Sequence, residues 1–272
     1  MSPVSLSEKV TRFLNNDRVI GKSMCDKLMQ LVADQKGCIA GSSVMQAIND
    51  IQTTNMAWDE SDIDIWLPNT GLIGSFIDIL QSNNYSISKM DPGSKKTYAR
   101  LTKYVQTIYS FARHDKKTIQ VMVCKVKRVS LVVNTFDITA AKIMYRQNSQ
   151  GDRKIGLIRT DNNRALEECL SRKLTISEYA SENQTLAEWI RTTSRLAKYK
   201  TRGFTMDPDE LNRIVKYVGK QSAVDSGYEA IQEFVMEKIA RNLLSFLKGG
   251  QKIFVREETR GDESFPVLVI KK

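Results

Sequence analysis

Apolar residues recur at helical spacing along much of this chain and switch to a two-residue period in a few short stretches. Residues 5–17 read as a short helix with Leu6, Val10, Phe13 and Leu14 on one side. Residues 22–35 read as a second, with Met24, Leu28, Leu31 and Val32 on its core face, and Gly37 follows as a C-cap glycine would. An apolar run, Cys38-Ile39-Ala40, then breaks into Gly41-Ser42-Ser43. The helix expected from about Ser43 buries Val44, Ala47, Ile48 and Ile51. A polar loop over 52–61, with Trp58 in it, delivers the chain to a short strand, Asp62-Ile63-Asp64-Ile65-Trp66-Leu67, which Pro68-Asn69 ends. A helix over 71–83 turns Leu72, Phe76, Ile79 and Leu80 inward. Strand-like pieces follow at 85–89, 98–111 and 118–125, separated by turns at Pro92-Gly93 and His114-Asp115-Lys116-Lys117. This is a helix-flanked, meandering mixed sheet, not a repeated βαβ unit.

The second half is mainly helical. The polar, Gly-bearing stretch 147–163 places a domain boundary near 150, giving parts 1–150 and 151–272. A short helix over 139–146 precedes that boundary. Thr175 and Glu178 have capping-box spacing. Residues 185–200 carry the stripe Leu186, Trp189, Ile190, Thr193 and Ala197, which reads as a core face. Asp207-Pro208-Asp209-Glu210 is a helix start, with Leu211, Ile214, Val215 and Val218 on the buried side. A helix over 228–247 points Ile231, Phe234, Val235, Ile239, Leu243 and Leu247 inward and stops at Gly249-Gly250. Stretches 252–256 and 265–270 read as a β-hairpin around Arg260-Gly261-Asp262, which either adds to the sheet or serves an interface. The expected class is α+β: a mixed sheet flanked by helices, then a mainly helical C-terminal half with a terminal hairpin.

Composition narrows the function. At 272 residues the chain is long enough to bury a proper core. Its net charge of +10 favours polyanionic partners, nucleic acid first among them. Four scattered cysteines, without a Cys-x-x-Cys, and a single histidine, His114, exclude a zinc finger and argue against zinc catalysis. The cysteines read as buried hydrophobes of a reducing compartment. No secretory signal opens the sequence and no apolar run reaches membrane-spanning length, so a soluble cytoplasmic protein without a membrane partner is expected.

The chemistry concentrates between residues 38 and 67. Asp62 and Asp64 lie two apart on a strand, so both carboxylates share one face. Such a pair repels itself unless a divalent cation sits between, and Mg²⁺ accepts a few carboxylates beside phosphate oxygens and water. Gly41-Ser42-Ser43 supplies what a triphosphate needs: close backbone approach, free N–H groups entering a helix, and hydroxyl donors.

The combination of apolar run, Gly-Ser-Ser, amphipathic helix and Ser61-Asp62-Ile63-Asp64-Ile65 resembles the nucleotidyltransferase superfamily, which includes poly(A) polymerases, CCA-adding enzymes and antibiotic nucleotidyltransferases. The wording Trp58-Asp59-Glu60-Ser61-Asp62-Ile63-Asp64-Ile65 is most similar to large-DNA-virus members, viral poly(A) polymerases among them. The resemblance implies a third acid from a neighbouring strand. The strand Thr118-Ile119-Gln120-Val121-Met122-Val123 offers Gln120 at the natural place, while Phe136-Asp137-Ile138 offers Asp137. Asp137 therefore either completes the metal site or N-caps the helix over 139–146. Arg195-x-x-Lys198-Tyr199-x-x-Arg202-Gly203-Phe204 also resembles a phrase of the viral members. It is either a contact surface for nucleotide or RNA phosphates, with Lys198 and Arg202 binding and Tyr199 or Phe204 stacking, or a solvated basic face that also carries Arg191 and Lys200.

What the resemblance implies is Mg²⁺- or Mn²⁺-dependent nucleotidyl transfer. Asp62, Asp64 and Asp137 hold two metals, Gly41, Ser42 and Ser43 hold the phosphates of an NTP, ATP first, and the acceptor is an RNA 3′ end. Two rivals stand beside it: an inactive fold that binds RNA or serves as a subunit, and a transferase acting on a small molecule or protein. Whether the protein forms a homo-oligomer stays open.

Overall fold

The computed structural model describes residues 4–51, 56–59, 61–90, 103–150, 153–159, 163–224, 229–260 and 263–271. It divides into two compact units, one of residues 1–134 with 140–170, the other of residues 135–139 with 171–272.

The first unit is built on a seven-stranded sheet in the order β3-β4-β5-β2-β1-β6-β7. Its strands are β1 (Cys38–Ala40), β2 (Ile63–Leu67), β3 (Ser86–Met90), β4 (Val105–Ala112), β5 (Ile119–Cys124), β6 (Met144–Gln150) and β7 (Arg153–Arg159). β2 runs parallel to β5, and every other neighbouring pair is antiparallel. Helices α1 (Leu6–Leu14), α2 (Lys22–Asp34), α3 (Ser42–Ile48), α4 (Met56–Asp59), α5 (Gly74–Ser82), α6 (Val129–Val133) and α7 (Asn163–Leu170) complete the unit. A meander of β3, β4 and β5 on one side and the helical spacing of α1, α2 and α5 agree with the hydrophobic pattern.

Local chemistry explains the ends of these helices. Ser5 and Glu8 form a capping box on α1. α2 ends in a Schellman arrangement: Lys36 N–H bonds Ala33 O at 3.0 Å and Gly37 N–H bonds Val32 O at 2.8 Å. The left-handed residue there is Lys36, at φ 57°, not Gly37. Gly37 is glycine for another reason: a Cβ on it would meet Trp66 O and Leu67 Cδ2 of β2, each at 2.8 Å. Leu72, expected inside, precedes α5 and is 73% exposed, while Phe76 and Leu80 carry the buried face.

Residues 139–146 are not a helix. They form a 3₁₀ turn, Thr139–Ala141, and then enter β6. The polar stretch placed at a boundary near 150 instead forms the β6–β7 hairpin, with Met144 opposite Arg159 and Gln150 opposite Arg153. Its polar sequence hides pairing that only a partner strand reveals. The turns at Pro92-Gly93 and Gly261-Asp262, and the loop residues 52–55, lie outside the described residues.

The second unit holds α8 (Glu178–Asn183), α9 (Leu186–Thr201), α10 (Pro208–Val224), α11 (Glu229–Leu243) and a hairpin of β8 (Lys252–Arg260) and β9 (Glu263–Lys271). The hairpin is a sheet of its own and packs on α10 and α11, so it does not extend the main sheet. Ser177, not Thr175, N-caps α8, and Thr185 with Glu188 closes a capping box on α9. On α11 the core stripe runs through Met236, Ile239 and Leu243, and Phe234 is 63% exposed rather than inward. All four cysteines are buried and none is in a disulfide, as for small hydrophobes. Among the described residues no helix is long and apolar enough to cross a membrane.

Candidate active site

Strand β2 lies inside the sheet of the first unit, between β1 and β5. Ile63 and Ile65 are buried on one face, which leaves Asp62 and Asp64 partly open on the other. The strand period thus does what the sequence pattern requires, and the two carboxylates come together. Parallel pairing sets Asp64 beside Gln120 of β5, and Gln120 Nε2 donates to Asp62 Oδ2 at 2.9 Å. The neutral Gln120 therefore occupies the neighbouring-strand place. The Asp64 carboxyl is pushed from its ordinary 3.8 up to about 8, first by burial and then by the Asp62 charge.

Gly41 ends β1 and N-caps α3 with φ 93° and ψ −148°, a conformation that favours glycine. A Cβ there would stand 3.2 Å from Asp64 Oδ2. Glycine is required twice, by the backbone turn and by the approach of the carboxylate. Ser42 is half-buried beside it, and Ser43 is buried at 2% exposure with a hydroxyl that makes no hydrogen bond among the described residues.

These observations fit a divalent cation with a triphosphate. Two oxygen-donor acids crowd together, the pKa of one raised by burial and by the other's charge, and an unsatisfied hydroxyl sits in the adjoining turn. Among the described residues no group of three or more His, Cys, Asp or Glu side chains is gathered to hold a metal.

Lys117 is the residue that the sequence pattern hides. Read as part of a polar turn, it is 7% exposed. Its Nζ donates to Trp58 O at 2.8 Å, Ser61 O at 3.2 Å and Ser61 Oγ at 2.8 Å. Ser61 Oγ in turn donates to Gln46 Oε1 of α3 at 3.1 Å. The signal was parity: Lys117 continues the inward alternation of Ile119 and Val121.

Asp137 belongs to the second unit and has other company. Its Oδ2 meets Arg195 Nη2 at 2.6 Å and accepts from Thr192 Oγ1 at 2.7 Å. Its backbone carbonyl accepts from Ser177 N at 2.8 Å, which ties 135–139 to the start of α8. Nor does it cap a helix over 139–146, since none forms there.

The basic phrase on α9 is also redistributed. Lys198 is exposed and Arg195 half-exposed, but Arg202 is 5% exposed, with its guanidinium 5.4 Å from the Tyr199 ring centroid. Tyr199 and Phe204 are buried and pack edge to face at 5.7 Å, so neither ring is offered for stacking on a base. The helix end is core, and its outward charge is Arg195 and Lys198.

The model of a protein family described as "Gabija anti-defense 2 family protein" matches residues 6–171. No curated protein matches the sequence. A CCA-adding enzyme solved with CTP aligns over 87% of this chain and 51% of its own, at 13% identity and a TM-score of 0.51. A tRNA-processing enzyme with CTP aligns over 80% of this chain and 53% of its own, at 8% identity and a TM-score of 0.49. A CCA-adding enzyme with ATP aligns over 86% and 49%, at 14% identity and a TM-score of 0.48. The chain spans about half the length of these structures. At 13% identity the first of them establishes a shared fold, the nucleotidyltransferase-like α+β fold.

Proposed function

The chain belongs to the Gabija anti-defense 2 family, and we propose that it is a divalent-metal-dependent nucleotidyltransferase that moves a nucleoside monophosphate from an NTP to an acceptor hydroxyl. The observation that carries this reading is the closeness of Asp64 to the glycine turn: a Cβ added at Gly41 would stand 3.2 Å from Asp64 Oδ2. The glycine turn that would hold phosphates is built directly against the acid that would hold the cation.

Asp62 and Asp64 are the proposed metal ligands. Mg²⁺ or Mn²⁺ bound there would neutralise the triphosphate and favour the acceptor's alkoxide. Gln120 holds Asp62 in place by donating to its Oδ2. Gly41, Ser42 and Ser43 receive the phosphates through backbone N–H groups and hydroxyls, and the unsatisfied Ser43 hydroxyl gains a partner on binding. In the second unit, Asp137 is proposed to set the Arg195 guanidinium on α9 rather than to ligate metal. Arg195 and Lys198 then offer charge to an RNA backbone, in keeping with the net charge of +10. Arg202 supports this face from within.

The proposed acceptor is an RNA 3′ end and the proposed donor is ATP, as in poly(A) polymerase-like transfer. The family's description is of anti-defence proteins, and the proposed transfer would serve to oppose a defence system. The neutral Gln120 favours a second reading, a protein that binds nucleotide and RNA without turnover. One experiment separates them: incubate the protein with Mg²⁺ or Mn²⁺, each of the four NTPs and a labelled RNA oligomer, beside Asp62→Ala/Asp64→Ala. Extension by the wild type alone supports transfer to RNA. NTP and RNA binding without extension supports the second reading, and label appearing on a protein or small acceptor moves the acceptor class.

A further inference from the structure

We infer that Lys117 is a positioning residue: through Ser61 and Gln46 it fixes the Asp62–Asp64 strand relative to the Gly41-Ser42-Ser43 turn, and thereby sets the affinity of the site for a divalent cation. The inference rests on the nucleotidyltransferase reading.

Lysine is seldom buried, because its ammonium loses water that must be replaced by acceptors. Among the described residues three acceptors replace it: Trp58 O, Ser61 O and Ser61 Oγ. Each belongs to the segment that delivers Asp62. Trp58 lies in α4, and Ser61 is the residue immediately before Asp62. The chain of bonds continues from Ser61 Oγ to Gln46, which is fully buried on α3. α3 is the helix that Gly41 caps and Ser42 begins. At its other end Lys117 is two residues before β5, and its own N–H bonds Arg18 O at 3.3 Å. The next residue, Thr118, accepts from Ile63 N at 2.8 Å, the bond that opens the β2–β5 pairing.

One side chain thus joins the entry to β2, the entry to β5 and the helix behind the phosphate turn. An apolar residue could fill the same space without the desolvation cost. What it could not supply is three fixed directions at the point where the metal strand starts. Outer groups that hold ligands in place typically govern metal affinity by about 10–100-fold.

The test is Mn²⁺ binding followed by electron paramagnetic resonance, with thermal stability measured alongside and all titrations run well below every Tm. Wild type should bind Mn²⁺ and Asp62→Asn should not. Lys117→Met should weaken binding by about 10–100-fold. Ser61→Ala, a milder change to the same chain of bonds, should weaken it less, and the double variant should be no worse than Lys117→Met alone, since the two act in series. Leu80→Ala, in the core of α5, supplies a variant that loses stability without touching the network, and its Mn²⁺ affinity should stay at the wild-type value.

Wild-type affinity in Lys117→Met would overturn the inference. So would an equal loss of affinity in Leu80→Ala, because the effect would then be general loosening. If Lys117→Met fails to fold, Ser61→Ala decides alone against Leu80→Ala. Absence of Mn²⁺ binding in the wild type would instead bring down the nucleotidyltransferase reading itself, and this inference with it.

Discussion

Asp62 and Asp64 in the first unit and Asp137 in the second are acids of the same type set in opposite company. Asp137 is buried against a guanidinium and a hydroxyl. Asp62 receives a neutral amide, and burial, then the Asp62 charge, push the Asp64 carboxyl up to about 8. At one site a carboxylate meets a guanidinium, and at the other two carboxylates meet each other. Crowding of two acids costs stability, and a bound cation would relieve it. The contrast is between a carboxylate paired with a cation inside the fold and two carboxylates proposed to share one from outside, although both looked alike as acids beside apolar residues in the sequence.

The largest expected effect breaks the contrast from the ligand side. Asp62→Ala or Asp64→Ala should reduce transfer by more than the roughly 10–100-fold that loss of an outer partner costs, while the fold survives. Retained turnover in single-turnover assays of either variant would refute the assignment. In the second unit the asymmetry should run the other way. Arg195→Ala removes a cationic partner of the buried Asp137 carboxylate and should cost about 3 kcal/mol, whereas Asp137→Asn leaves a half-exposed guanidinium that water can take up and should cost about 1 kcal/mol. Chemical denaturation of both variants checks the order. Neither should alter Mn²⁺ affinity, and a loss of affinity in Asp137→Asn would return Asp137 to the metal site.

Short-range pattern made much of this legible. The strand Ile63–Leu67, the Gly-Ser-Ser turn and the helices α1, α2, α9 and α10 follow from period and capping, which act over a few residues. What stayed hidden depends on partners far along the chain. Gln147–Gln150 looked like linker because β7 supplies its pairing. Lys117 looked like a turn lysine because its acceptors lie some sixty residues earlier, at Trp58 and Ser61. The spacing of Tyr199, Arg202 and Phe204 left a phosphate-contact surface and a solvated basic face side by side, because burial of a cation against a ring cannot be read from spacing. Gln120 was visible as a departure, but its bond to Asp62 was not.

That bond gives a middle-sized prediction. Gln120→Glu puts a third acid beside Asp62 and Asp64 and makes the contrast with Asp137 sharper still. Mn²⁺ affinity should rise by about 10-fold, since ligand charge strengthens hard-cation sites, while the metal-free protein should lose thermal stability through added repulsion. Calorimetric titration and melting without metal read the two effects separately. Unchanged affinity with lower stability would mean that position 120 does not reach the ligand.

A further effect, read through pH, works on Asp64 alone. Its folded-state pKa of about 8 stands above the ordinary 3.8, so across that window the folded protein holds a proton that the unfolded chain has released. Stability therefore falls as pH rises from about 4 to about 8. Asp64→Asn cannot lose that proton and should escape the fall. The Tm gap between Asp64→Asn and wild type, measured without metal, should be small at pH 4, widen toward pH 8 and then level off, at about 2–4 °C per kcal/mol. Saturating Mn²⁺ should narrow the gap by stabilising the wild type only. Below pH 8, Mn²⁺ binding should also release a proton, seen as a binding enthalpy that changes with the buffer's ionisation heat. A gap that does not vary with pH, or Mn²⁺ binding without proton release, would show that Asp64 is already satisfied in the free protein, and the difference between the two carboxylate sites would disappear.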